Sequence, residues 1–328
     1  MTVSLGYIFG GGTALTPPGQ ELYDRYEVMR QLCHEVSEWT QLDILASLSE
    51  DLTPPLSVDD IETQLKYRRI ATMRQAFHSV GVASILNDIG VKPRAVTGSS
   101  LGGMIAASVA GAIDASGLFG LLEYISGIPL APAGEPMRGI AFAFVPEGTD
   151  LDWYCEPSRP HVHLAADHGK LRDGSARVVL LSGYRDELLA LAAEAPEETV
   201  VVFGVLYGGH SPLQQFVHDA LEPYVRQMTV RDPEVPLFSS LRHKRLESAD
   251  DVREDFLLNT TITTRTQHMV AGLSSQGLEI AATIGQAIPI DWFSFPFMNV
   301  NVAAADDIER LMYSLHDLGI TLETGQLK

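Results

Sequence analysis

The chain has 328 residues, 45% of them hydrophobic, with a formal net charge of −19 and two cysteines. That acidity speaks against nucleic acid and anionic membranes as partners, and no run approaches the roughly 20 apolar residues that cross a bilayer. Cys33 and Cys155 make no disulfide framework, so the expectation is a cytoplasmic protein with one large domain, or a domain with an insert. In chain order, residues 4–9 read as a buried strand, followed by the loop Gly10-Gly11-Gly12 and a helix over about 20–36. Pro54-Pro55 marks a loop, 61–88 a long helix, and Val96 the end of a short strand. Two helices follow over 101–112 and 116–126, with Asp114 as a cap. After 129–134 the texture changes: strands at 139–145, 162–166 and 177–182, a helix at 186–195 and a strand at 200–206 predict a small α+β insert over 135–206. A helix at 212–228, a strand at 236–241, helices at 250–258 and 266–276, a strand at 278–284 and a helix at 306–318 complete the chain. Strands alternating with helices predict a mainly parallel sheet covered on both faces.

Gly98-Ser99-Ser100-Leu101-Gly102 fits G-x-S-x-G, between a strand and a small-residue helix. On such a turn Ser100 is an exposed nucleophile and the Leu101 N–H, at the helix start, faces a developing oxyanion. The competing reading is a glycine-rich structural turn. Serine needs a base, and of ten histidines His210 stands out, in Tyr207-Gly208-Gly209-His210-Ser211-Pro212 between a buried strand and a helix. His161, His163 and His168 have only Asp167 as a nearby carboxylate, and no metal site is expected there. The remaining histidines read as structural.

These motifs together resemble the malonyl-CoA:acyl-carrier-protein transacylase family, including the acyltransferase domains of polyketide synthases, over nearly the whole chain. The similarity rests on Phe9-Gly10-Gly11-Gly12, the elbow at Ser100, the tetrapeptide ending at His210, the spacing of 110 residues between them, and the segments HSPLQQFVHDALEPYVRQM and VPLFSSL. The resemblance implies an α/β fold: an α/β-hydrolase-like large domain (1–134 and 207–328) with a ferredoxin-like small domain (135–206). It implies a ping-pong acyl transfer through an acyl-serine, with His210 as general base. Leu101 and Gly12 then form the oxyanion hole, and Asn259 matches the position whose backbone carbonyl orients the histidine. No third acidic residue is required. No cofactor is bound; phosphopantetheine arrives on an acyl carrier protein or a synthase carrier domain, or the donor is a CoA thioester.

The departures from the family pattern are informative. Ile125 stands where malonyl-specific members carry the arginine that clamps the free carboxylate. An unpaired buried carboxylate is costly, so an uncharged acyl group is expected. Gly208 and Gly209 replace a bulkier pair, which predicts a roomier acyl pocket. Ser99 replaces the elbow histidine and Gly103 the following glutamate. The reading is thus a discrete acyltransferase of polyketide, antibiotic-type biosynthesis, moving a bulky, non-carboxylated acyl group onto a carrier protein. The alternatives are a proofreading acyl-carrier-protein hydrolase using the same pair, and a non-catalytic carrier-binding homologue. Carrier proteins are acidic, so docking calls for a basic patch, and Arg242, Lys244 and Arg245 are its candidates. Lys66-Tyr67-Arg68-Arg69 is a second basic cluster.

Overall fold

Successive side chains of the first strand go to opposite sides. In β1 (Leu5–Phe9), Leu5, Tyr7 and Phe9 join one core, and Ile8 joins another on the far face. A strand buried on both faces belongs between two helical layers. The computed structural model describes residues 4–12, 19–49, 52, 60–206, 208–285 and 290–319; the Pro54-Pro55 loop and Tyr207 lie outside the described residues.

After β1 the chain forms α1 (Gln20–Arg25), α2 (Glu27–Thr40), α3 (Ile44–Ser49) and α4 (Ile61–Asp88), then β2 (Ala95–Gly98), α5 (Leu101–Val109) and α6 (Ala115–Ser126). The insert follows: β3 (Arg138–Pro146), β4 (Val162–Lys170), β5 (Ala176–Tyr184), α7 (Arg185–Glu194) and β6 (Val200–Val202). The return path is α8 (Gln215–Gln227), β7 (Leu237–Phe238), β8 (Arg245–Leu246), α9 (Ala249–Leu258), β9 (Thr264–Arg265), α10 (Thr266–Ser274), β10 (Ile280–Ile284), β11 (Met298–Val302) and α11 (Ala305–Asp317).

The large sheet has the order β11-β10-β1-β2-β7-β8 and is parallel except for the β7–β8 pair. The chain leaves β1 toward β2 on one side and later fills the other side with β10 and β11. The crevice beyond the carboxyl ends of such strands is where open α/β sheets place their ligands. The second sheet has the order β6-β3-β5-β4-β9. Its four insert strands stand fourth-first-third-second and pair antiparallel, the ferredoxin-like arrangement. The expected α/β architecture is therefore found. Ala141, Ala143, Val179 and Leu181 close one face of this sheet against Leu188 and Leu191 of α7. Burying a leucine there contributes about 2 kcal/mol.

Several expectations need correction. The helix expected over 20–36 is two helices, broken at the extended Tyr26. Arg30 makes the break tolerable, because its Nη1 donates to the carbonyls of Tyr23 and Asp24, at 3.0 Å each. The strand expected at 200–206 stops at Val202. Beyond it, Gln64 of α4 holds the chain as it crosses back, donating to Gly204 O (3.0 Å) and accepting from Leu206 N (3.1 Å). The strand expected at 236–241 is two residues long, since Ser239 Oγ accepts from the Leu241 and Arg242 amides (3.1 Å each) and turns the chain. The helix over 61–88 forms on those residues, capped by Asp60 accepting from Thr63 N. No helix among the described residues is long and apolar enough to cross a membrane.

Residues 262–265 fasten the small sheet to the large domain. Thr263 Oγ1 donates to Leu164 O (2.6 Å), and Thr264–Arg265 adds as β9 alongside β4. Arg265 Nη1 then meets Asp167 Oδ2 at 3.3 Å, on a carboxylate also gripped by Arg177. Burial is the largest single influence on Asp167 and opposes its charge, but the hydrogen bonds and charge of Arg177, the Gly169 N–H and the Arg265 charge together outweigh it and hold the carboxyl below its ordinary range.

Candidate active site

Ser100 ends the β2 strand-to-helix turn with φ 57° and ψ −120°, a conformation that costs an L-residue about 1–3 kcal/mol. Three backbone bonds hold it: Ser99 N–H to Phe9 O (3.1 Å), Gly102 N–H to Ser99 O (2.8 Å) and Gly103 N–H to Ser100 O (2.9 Å). Glycine is needed around it. A Cβ at Gly98 would lie 2.1 Å from Gly102 O, and one at Gly102 would lie 2.1 Å from Phe9 O.

His210 reaches this turn from the loop before α8. Its Nε2 lies 2.9 Å from Ser100 Oγ, and its Nδ1 lies 3.0 Å from Ile262 O. A carbonyl can only accept, so Nδ1 carries the proton and Nε2 is left bare to receive the serine proton. Two residues far apart in sequence thus form a hydrogen-bonded pair with a backbone oxygen as third member. Asn259 is not that member. It is the C-cap of α9, with its N–H bonded to Asp255 O (2.9 Å). The chain runs three residues further, past a turn closed by Ile262 N–H on Leu258 O (2.9 Å), before its carbonyl points at the imidazole.

Burial pushes the His210 imidazole down to about 4, against a smaller upward pull from the Ile262 carbonyl. Only the neutral ring takes a proton from Ser100. Acyl loading should therefore be flat between about pH 5.5 and 8 and fall with an apparent pKa near 4 rather than 6.5. The same depression makes the folded chain lose stability as the pH drops from 6.5 through about 4. A pH series of kcat/KM, with circular dichroism at each point, checks this; an acid limb at the ordinary histidine value contradicts it.

The early glycine loop lies against the elbow. A Cβ at Gly11 would sit 3.6 Å from Ser100 Cβ, and one at Gly12 would sit 3.4 Å from Leu101 Cδ2. Leu101 opens α5, so its N–H has no intrahelical acceptor and carries the positive end of the helix dipole. Sequence reasoning missed the residue that pins this loop. Gln75, buried in α4, donates through Nε2 to the carbonyls of Gly10 (3.1 Å), Gly11 (2.6 Å) and Gly285 (3.3 Å). Its signal was a polar amide inside the run Met73–Ala83, which the fold buries throughout.

Other singled-out residues lie elsewhere or act differently. Ser99 flanks the elbow, with Oγ 3.9 Å from the Cβ position of Gly11. Ile125 packs on the large-domain core, and Arg68 Nη2 of α4 donates to Ile125 O (3.4 Å), Ser126 O (3.1 Å) and Ile128 O (2.9 Å). Arg69 pairs with Glu123 at 2.7 Å. The second basic cluster thus ties α4 to α6. Gly208 does not enlarge a pocket. Its Cβ direction is already filled by Arg138 Cβ and Gln214 Nε2, each at 2.7 Å. Gly209 is buried beside it. Arg242, Lys244 and Arg245 make no basic patch either. Arg242 pairs with Glu254 (2.7 Å), Lys244 with Asp251, and Arg245 approaches Glu247 (3.9 Å). Helix α9 supplies carboxylates that the sequence pattern gave no reason to place there. No cluster able to hold a metal occurs among the described residues.

No protein-family model matches the chain. It is 29% identical over 175 residues to the spectinabilin polyketide synthase system protein NorC of Streptomyces orinoci, covering 52% of this chain and 7% of that protein. It is 24% identical over 263 residues to the polyketide biosynthesis acyltransferase homolog PksD of Bacillus subtilis (strain 168), covering 76% of this chain and 75% of that one. Among solved structures, the malonyl-CoA:ACP transacylase of Synechocystis superposes with a TM-score of 0.78 at 18% identity, covering 94% of this chain and all of the other. The fold is accordingly the one that malonyl-CoA:ACP transacylases adopt.

Proposed function

We propose that this chain is an acyltransferase acting on acyl carrier proteins in polyketide or fatty-acid biosynthesis. The observation that carries the reading is the 2.9 Å contact between His210 Nε2 and Ser100 Oγ on a strained elbow. The fold and the two polyketide relatives support it.

Ser100 Oγ attacks the thioester carbonyl as Nε2 of His210 takes its proton, and the carbonyl oxygen takes up charge facing the N–H groups of Leu101 and Gly12. The C–S bond breaks and the imidazolium protonates the leaving thiolate, leaving an acyl-serine. A phosphopantetheine thiol on the acceptor carrier then attacks, His210 takes the thiol proton, and collapse returns a proton to Ser100. Ile262 O keeps the Nδ1–H in place throughout. The protein supplies no cofactor of its own in this scheme; the pantetheine belongs to the partner.

The acyl group is uncharged. The family resemblance matches Ile125 to the arginine that clamps a malonyl carboxylate, and an alkyl side chain in that role offers nothing to a carboxylate, whose burial without a partner costs several kcal/mol. Intact-mass analysis tests both parts, using carrier proteins loaded with malonyl, fatty acyl or aminoacyl groups and an unloaded acceptor carrier. Transfer of a neutral acyl group onto the acceptor is expected. Free acid alone replaces transfer with hydrolysis, efficient malonyl transfer defeats the substrate assignment, and an unmodified Ser100 throughout defeats the enzyme.

A further inference from the structure

His210 is itself held in an uncommon conformation. Its φ is 58°, in the left-handed region that L-residues rarely adopt. Such a backbone persists only where the surroundings over-determine it. Within the loop, Ser211 Oγ donates to Gly208 O across the histidine (3.2 Å), and Gln214 N–H donates to Ser211 O (2.9 Å). Further grip comes from two side chains of the small sheet.

Arg138 opens β3 and Ser182 lies on β5. The register pairs Arg138 with Tyr184 and Ile140 with Ser182, so both side chains leave one face of the sheet, the face away from α7. Ser182 Oγ donates to Ser211 Oγ at 3.3 Å, next to His210, and both serines are fully buried. Arg138, only 3% exposed, runs along the loop. Its Cβ and Cγ fill the Cβ direction of Gly208, and its Nε donates to Leu213 O (3.1 Å). Its Cζ stands 4.9 Å from the ring of Phe216, in the first turn of α8. Tyr184 adds a second ring at 6.0 Å, and Glu135 accepts from Nη2 at 2.6 Å. Both rings are within cation–π reach. One side chain therefore touches the loop before His210, at 208, and after it, at 213–216.

Stability alone does not account for an arginine at this position. Its Nη1 is buried with no hydrogen-bond partner among the described residues, and an unpaired buried donor is costly. An alkyl side chain would fill the space beside Gly208 without that cost. We propose that Arg138 and Ser182 are positioning residues of the acyl transfer: they hold the 208–216 loop so that the His210 ring spans Ser100 Oγ and Ile262 O. The effect on rate rests on the acyl-serine reading; the placement of the ring rests on these contacts alone. Without either contact the loop relaxes toward an ordinary φ, Nδ1 leaves Ile262 O, and Nε2 leaves Ser100.

The test compares S182A, R138M and R138K with R159M, all in the full chain. Methionine keeps the stem beside Gly208 and loses the donors; lysine keeps the charge but offers one ammonium to two acceptors. Arg159 is the control, a small-domain arginine whose bonds lie outside the histidine loop: it pairs with Glu194 (2.6 Å), donates to Trp153 O (2.9 Å) and lies 4.9 Å from that indole. With the acetyl N-acetylcysteamine thioester, kcat should fall at least about ten-fold in R138M and about five-fold in S182A, with KM within about twofold. R138K should lie between R138M and the unsubstituted chain, and R159M should stay within about twofold of the latter. The ring itself gives a readout that needs no turnover. In ¹⁵N NMR of histidine-labelled protein, with His210 assigned by difference from H210N, the unsubstituted ring should be protonated at Nδ1 alone. R138M and S182A should move population to the Nε2-protonated form. Ring signals unchanged in S182A and in both Arg138 variants overturn the proposal whatever the rates do. So does a ring shift in R159M as large as in R138M, or a rise in KM at unchanged kcat. If no thioester loads Ser100 in the unsubstituted chain, the acyltransferase reading falls, while the ring signals still decide the positioning.

Discussion

Alanine at Ser100 is expected to abolish acyl loading, and alanine at His210 to lower it by about as much, on the order of 10⁵-fold. The double variant should be no worse than either single one, because the two groups act as one unit. The serine hydroxyl is a poor nucleophile without a base in contact, and the imidazole at 2.9 Å has no other reacting group to serve. The third member is a main-chain oxygen, so no side-chain change at Ile262 removes it. Loading is read as the mass of the acyl-protein and as the rate of thiol release from an N-acetylcysteamine thioester. Folding of each variant is checked by far-ultraviolet circular dichroism. Retention of more than about a tenth of the rate by His210→Ala would mean that the imidazole is not the base.

The second large effect comes from a single carbon. In Gly102→Ala the new Cβ meets Phe9 O at 2.1 Å, Phe9 C at 2.6 Å and Gly10 O at 2.7 Å, all of them backbone. Backbone cannot turn aside as a side chain does, so β1 and α5 must separate. The expected cost is about 3 kcal/mol of stability, the upper end of overpacking effects. Since those contacts also set Ser100 against the glycine loop, loading should fall about 100-fold. Gly103→Ala is the matched control. Its Cβ meets only Gly98 O, at 3.4 Å, and alanine is the better helix former by about 1 kcal/mol. Urea midpoints and loading rates of the two variants should therefore diverge. Equal behaviour would mean that the elbow tolerates movement and that its strain is unrelated to activity.

What the sequence made legible was whatever side chains encode by pattern. The long apolar and small-residue runs announced α4 and α5, Asp114 announced the start of α6 by accepting from Gly117 N, and the glycines around Ser100 announced the elbow. The failures share a cause: they concern atoms that carry no residue-specific signature. The partner of His210 is a carbonyl, which every residue has, so its assignment to Asn259 missed by three positions. Two-residue strands such as β8 and β9 are too short for a period to register. Gly208 looked like vacated space, yet a side chain from β3 fills it. The basic run at 242–245 looked like a patch, yet the carboxylates that neutralise Arg242 and Lys244 belong to α9. Pattern along the chain does not report what folds back onto it.

The four residues from Ile262 to Arg265 carry two attachments at once. Ile262 O aims the imidazole, while Thr263, Thr264 and Arg265 are stitched to β4, a strand of the same small sheet as β3. One four-residue segment therefore both aims the base and anchors the small sheet, so a substitution that loosens Thr263 or Arg265 from β4 is expected to disturb the imidazole as well.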